Sequence, residues 1–258
     1  MKLKTTTIIA AFLLALTAKA QRVTSTSKKY IGLDIGYRFD NLNDQNLSPL
    51  NQKGEGLSYS LFYEKRKKNI LKLNINYSDG LLESGVNDTF ETSYYTGSFN
   101  ASYLKSLSHS AKTTKFYIGL TYNLDVYYMD WFDQDAFSYS TTNGLSFTGA
   151  FTKQLNTKQF IEGSVTIPFL QYLSRPPYNG INEFIIENQD TPVNIIFDGE
   201  LTSFKKYKAI AWNINYNLEI SNHINWRLNY TLNIKKVIEI NKVKSVSNLI
   251  STSISYKF

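Results

Sequence analysis

The sequence predicts an all-β chain: a closed, antiparallel, up-and-down transmembrane β-barrel of ten strands, or of twelve if one long connection folds as a further pair. Three observations predict it. Segments alternate apolar and polar residues with a period of two, as a strand with unlike faces must. The connections between them run short and long in strict turn. The chain also ends on such a segment, whose partners must therefore lie earlier in the sequence.

That final stretch, 246–258, sets Ile250, Thr252, Ile254, Tyr256 and Phe258 on one face and Ser251, Ser253, Ser255 and Lys257 on the other. Nine earlier segments behave alike: 30–39, 57–65, 70–79, 93–105, 115–128, 141–154, 160–170, 208–220 and 224–235. In the first, Ile31, Leu33, Ile35, Tyr37 and Phe39 oppose Gly32, Asp34, Gly36 and Arg38; in 115–128, Phe116, Ile118, Leu120, Tyr122, Leu124 and Val126 share a face. Ten residues at roughly 3.3 Å rise and about 40° tilt cover about 25 Å, the height of a barrel's apolar band. Turns 65–69, 106–114, 155–159 and 221–223 alternate with long connections 40–56, 80–92, 129–140, 171–207 and 236–245. An even strand number with both termini at the short-turn end is the closed-barrel pattern.

The polar face separates a membrane barrel from a soluble β-sandwich or lipocalin-like barrel, which also alternate. A strand face open to bulk water carries many Lys and Glu. Here it reads Asn213, Asn215, Asn217 and then Asn225, Arg227, Asn229, Thr231, Asn233. Amides and hydroxyls suit a crowded polar lumen in which each group finds a partner. The expected lumen lining is Asp34, Arg38, Glu64, Lys72, Asn74, Asn76, Asn123, Asp125, Glu162, Asn213, Asn215, Asn217, Glu219, Asn225, Arg227 and Asn229. Its charges have both signs, so they are expected to pair and plug the bore. Ten strands enclose little more than the eight whose interior side chains fill.

A closing strand with an apolar-aromatic face and a terminal Phe258 resembles that of Gram-negative outer-membrane β-barrel proteins, and the pattern extends over 30–258. The resemblance implies that Tyr256 and Phe258 belong to the signal read by the barrel-assembly machinery. That machinery, outer-membrane lipid and lipopolysaccharide are then the implied partners. The N-terminus agrees: Lys2 and Lys4, an apolar run 8–16, and Ala18-Lys19-Ala20 before Gln21 form a cleavable export signal over 1–20. Residues 21–29 would be a short periplasmic lead. Nine apolar residues cannot span a bilayer, which needs about 20.

Composition bounds the chemistry. The 258 residues include no Cys, so disulfides, thiolate metal sites and Cys nucleophiles are excluded. A net charge of +7 falls to +4 without the three leader lysines, too mild to argue for nucleic acid. No cofactor motif is present. Some barrels of the resembled kind are proteases or lipid A hydrolases that use a His beside a carboxylate or a Ser at the external rim. This chain has two His, His109 and His223, both in expected periplasmic turns, so no enzyme is expected and a rim hydrolase is disfavoured.

The external loops hold the binding candidates. Asp130, Trp131, Asp133 and Asp135, with Asp79, Glu83, Asp88 and Glu91, form an acidic rim able to bind divalent ions or share them with lipopolysaccharide, though a solvated loop explains it as well. In the long loop 171–207, Arg175-Pro176-Pro177-Tyr178 reads as a stiff arm, and 183–187 with 193–197 as a potential hairpin. The periplasmic turns are basic (Lys65, Arg66, Lys67, Lys68, Lys112, Lys158). The expected role is a partner-binding or assembly component with a narrow or plugged lumen; the alternative is a narrow channel for small polar solutes.

Overall fold

The computed structural model describes residues 27–46, 48–85, 92–107, 113–131, 136–175, 191, 194, 198–238 and 241–258. The export signal and the potential hairpin therefore lie outside the described residues. Among those residues no helix is long and apolar enough to cross a membrane. What the chain forms instead is strand: β1 (Lys28–Asp44), β2 (Gln52–Arg66), β3 (Ile70–Glu83), β4 (Thr92–Ser106), β5 (Thr114–Trp131), β6 (Ala136–Gln154), β7 (Gln159–Ser174), β8 (Glu200–Thr202), β9 (Tyr207–Glu219), β10 (Ile224–Val237) and β11 (Val243–Lys257).

Chain neighbours pair antiparallel from β1 to β8 and from β9 to β11, and β1 closes the ring on β11 from Tyr30–Lys257 to Asp44–Val243. β7 pairs with β6 along one edge and with both β9 and β8 along the other, so β8 continues the line of β9 rather than adding a place in the ring. The result is a closed ring of ten, with one extra short strand where a pair was allowed for.

The alternation places apolar side chains outward: Leu33 is 68% and Ile254 64% exposed, in a continuous surface with Ile31, Ile35, Leu61, Ile75, Ile118, Phe147, Trp212 and Leu228. Monomeric soluble proteins expose apolar patches of only a few hundred Å2. A surface apolar all round a closed barrel is one that lipid must cover.

The ring strands are longer than the alternation suggested, mostly at the long-loop end. The shortest, β9, has 13 residues; at roughly 3.3 Å per residue and about 40° tilt it rises about 33 Å, beyond the roughly 25 Å apolar band. In β1 the expected end at residue 39 becomes Asp44, and the loop 40–56 shrinks accordingly. The reason is an inversion of phase. Past the apolar band Leu42, Leu82, Val237 and Val243 turn inward and are buried, while Asn41, Asn43, Lys236 and Lys244 face out. There the barrel is built like a soluble one, with its apolar face inside.

Candidate functional site: a lumen filled at both ends

At the short-turn end, β2 sends Phe62, Glu64 and Arg66 inward on successive like-facing positions. Glu64 meets the Arg227 guanidinium of β10 at 3.0 Å, and Arg227 Nε donates to Asn217 Oδ1 at 2.8 Å. Arg66 bridges Glu64 to Glu162 of β7, and Glu162 also takes Lys72 of β3. Both carboxylates are essentially inaccessible. The two guanidiniums lie over rings, Arg227 over Phe62 at 4.7 Å and Arg66 over Phe160 at 5.2 Å. Ile70, Leu104, Tyr117 and Ala150 pack as an inward cluster. At the rim, Glu219 holds Lys28 and Lys257 at 2.7 and 2.8 Å. Buried charges persist only when paired and hydrogen-bonded, and five strands share this network.

The middle of the lumen is lined chiefly by hydroxyls and amides. Hydroxyls run round the wall in sequence, Ser102 to Thr121 at 2.9 Å, Thr121 to Thr148 at 2.6 Å, Thr148 to Thr166 at 3.0 Å. Amides continue it: Asn76 Nδ2 donates to Ser58 and Ser60, Asn215 Nδ2 to Asn213 Oδ1, and Asn229 Nδ2 to Ser251. These groups surround a cavity of about 440 Å3, within the roughly 300–1,000 Å3 range of small-molecule sites. Asp34, Asp125, Lys235 and Arg38 also line it.

Above the cavity, Leu42, Leu82, Tyr94, Met129, Leu173, Tyr207, Val237 and Val243 form one buried cluster. Polar straps hold it to the wall. Asp40 accepts from the Tyr94 hydroxyl at 2.6 Å and ion-pairs Arg38 at 2.7 Å; Arg38 also donates to Thr96. Asp44 holds Arg175 at 2.7 Å.

The expected lining is thus distributed over three levels. Asp34, Arg38, Glu64, Lys72, Asn74, Asn76, Asn123, Asp125, Asn213, Asn215, Arg227 and Asn229 border the cavity, Glu64, Lys72 and Arg227 from its base. Glu64, Lys72, Glu162, Asn217, Asn225 and Arg227 are buried or half-buried at the base, and Glu219 lies at its rim. Arg175 is only 5% exposed and ion-paired inside the mouth, so it anchors the long loop instead of standing out as an arm. Asp130 and Trp131 end β5, paired along the backbone with Ser93 and Thr92 of β4; Asp133, Asp135 and Tyr178 lie outside the described residues. Tyr256 and Phe258 face outward and stack at 6.2 Å, with His223 stacked on Tyr256 at 5.6 Å.

Sequence reasoning assigned Arg66 to a solvated turn and overlooked Lys235 and the apolar cap. Parity held the signal for the first two: Arg66 shares the face of Glu64, and Lys235 that of Asn233.

Comparison with solved structures places this geometry. The outer membrane protease OmpT of Escherichia coli superposes with a TM-score of 0.56 at 6% identity, over 93% of this chain and 99% of that one. The fold is that of a ten-stranded outer-membrane β-barrel. At that identity the likeness concerns the barrel alone and not its chemistry. The autotransporter translocator domain of NalP from Neisseria meningitidis aligns over 98% of this barrel and 97% of its own chain, at 7% identity and a TM-score of 0.43. Neisserial surface protein A aligns over 89% and 97%, at 13% identity and a TM-score of 0.36. No family model and no curated protein matches the sequence.

Proposed function

We propose that this protein is exported through its cleaved leader, inserts in the outer membrane, and works through its outer surfaces as a docking or assembly component rather than as an open pore. The observation that carries the reading is the filling of the lumen at both ends, by the ion network of Glu64, Arg66, Lys72, Glu162 and Arg227 below and the apolar cluster above. That filling supports assigning function to the rim and the external loops, with a protein as the partner.

A row of lysines supports the placement in a phosphate-bearing leaflet. Lys208, Lys236 and Lys244 stand directly opposite one another on three adjacent strands, all exposed and outward. Like charges so placed destabilise a sheet, and among the described residues none of the three has an ion-pair partner. One step below, Ile210, Ile234 and Val246 form the edge of the apolar belt. The row thus sits at headgroup height, where lipopolysaccharide phosphates would neutralise it.

A second reading, a narrow channel for small polar solutes, is favoured by the amide-lined cavity. Catalysis at the external rim is the weaker case, because His223 lies at the opposite end, its Nδ1 3.3 Å from the Lys257 carbonyl. Planar-bilayer recording on the refolded mature chain decides between the first two. No steady openings are expected; sustained unitary conductance would establish the channel instead.

A further inference from the structure

The ladder between β7 and β9 stops where both strands continue. It runs from Gln159–Leu218 to Thr166–Ala211, then resumes as Gln171–Thr202 with β8. Meanwhile β7 keeps its partner β6, and β9 keeps β10 from Tyr207 through Ile210. Residues 167–170 and 207–210 therefore face each other across the wall without ladder pairing. Four residues at roughly 3.3 Å make an interruption roughly 13 Å long.

The sequence interrupts the ladder from both flanks. Pro168 has no N–H to give to a ladder, and the register with β6 skips Phe169 beside Leu145 and Ser146. Opposite, the turn 203–206 is inserted between β8 and β9, with the amides of Lys206 and Tyr207 both donating to the Ser203 carbonyl. Irregular backbone at membrane depth is tolerated only against protein or a water-filled cavity. Such a cavity is present: Pro168, Tyr207, Ala209, Ile210 and Ala211 all line the central chamber, and Ile210 is also 41% exposed on the outer face.

The two sides of the interruption differ in chemistry. Outside are Ile167, Leu170, Ile210 and Trp212, exposed to lipid, with Lys208 at the headgroup end; inside are Thr166, Gln171 and Asn213. We propose that the interruption is a lateral portal through which an amphiphile places an uncharged, hydrogen-bonding head of glycolipid type in the central cavity while its hydrocarbon tail stays in the bilayer. An uncharged head follows from the wall, which is chiefly amide and hydroxyl and whose charged members, Asp34, Glu64 and Asp125 against Arg38, Lys72, Arg227 and Lys235, carry both signs. Entry from the side follows from the flanks of the interruption, apolar and lipid-exposed outside and polar inside. The portal goes beyond the docking role and does not depend on it, since a conducting lumen would leave the interruption in place.

The test uses the full mature chain in phosphatidylcholine vesicles with a decyl glucoside bearing a diazirine on the sugar. Photolabel is expected on the lumen-facing Thr166 and Asn213. In the double variant Ile167→Cys/Ile210→Cys, bridging the flanks with a reducible bis-methanethiosulfonate abolishes that label, and reductant restores it, so the unbridged variant is its own folding control. The same photoreactive glucoside without the decyl chain leaves the lumen unlabelled. Label confined to outward positions such as Ile214, lumen label that survives bridging, or equal lumen labelling by the chain-free sugar would each overturn the portal.

Discussion

At the scale of the residue, the base of the lumen depends on complete pairing. Removing Arg227 leaves Glu64 buried with one cation fewer and frees Asn217. Breaking a buried pair by removing one partner costs about 3–5 kcal/mol, whereas replacing both partners with apolar groups of similar volume is often neutral. Arg227→Ala is therefore expected to lower the urea midpoint of the barrel in detergent, and Glu64→Leu/Arg227→Met to recover part of the loss; equal midpoints for Arg227→Ala and the parent would show that the network carries no stability. Glycine is a second requirement at this scale. Gly56 and Gly80 stand opposite each other, and a Cβ on Gly56 would sit 1.9 Å from the Asp79 carbonyl oxygen. Gly56→Val is expected to prevent β2 and β3 from closing, read as loss of the folded band on unboiled gels. Gly97→Ala, where a Cβ meets nothing within 4 Å, should leave that band intact.

At the scale of the element, much was legible because one physical rule governs most of each strand: lipid outside, polar lumen inside. That rule predicted ten ring strands, which the ring order bears out; the expected short-long alternation of connections does not hold throughout, since the strands lengthen until seven residues separate β4 from β5 and only four separate β5 from β6. It failed where the solvent changes. Beyond the bilayer the outward positions become Asn41, Asn43 and Lys244 while Leu42 and Val243 turn in, and an apolar-outward pattern reads that inversion as the end of the strand. The cap was hidden for the same reason, since Leu42, Leu82, Met129, Leu173, Val237 and Val243 all fall in stretches read as loop. Pairing across strands far apart in sequence, such as Lys72 with Glu162, leaves no local trace either. The two closures act in series, which predicts a non-additive result. Leu82→Ala/Met129→Ala/Leu173→Ala loosens the cap, each truncation costing about 2–5 kcal/mol, and Arg227→Ala with Glu162→Ala opens the base. Either set alone should leave bilayer conductance at baseline, and only the combination should raise it; openings from a single set would mean that only one end is closed.

At the scale of the whole molecule, the account rests on the outer face being wetted by lipid. The ring closes on itself, the outward face is apolar all the way round, and the first and last strands meet at the base, where the amide of Lys29 donates to the Phe258 carbonyl at 3.2 Å and that of Phe258 to Lys29 at 3.0 Å. A closed barrel keeps its compact shape in sodium dodecyl sulfate until heat opens the ladder between β1 and β11. The most direct measurement is gel migration of the mature chain, refolded in detergent, before and after boiling, together with its partition between aqueous and detergent phases. The account predicts a faster band before boiling, a slower one after, and recovery only in the detergent phase. A chain that stays in water without surfactant and migrates identically in both lanes would contradict it.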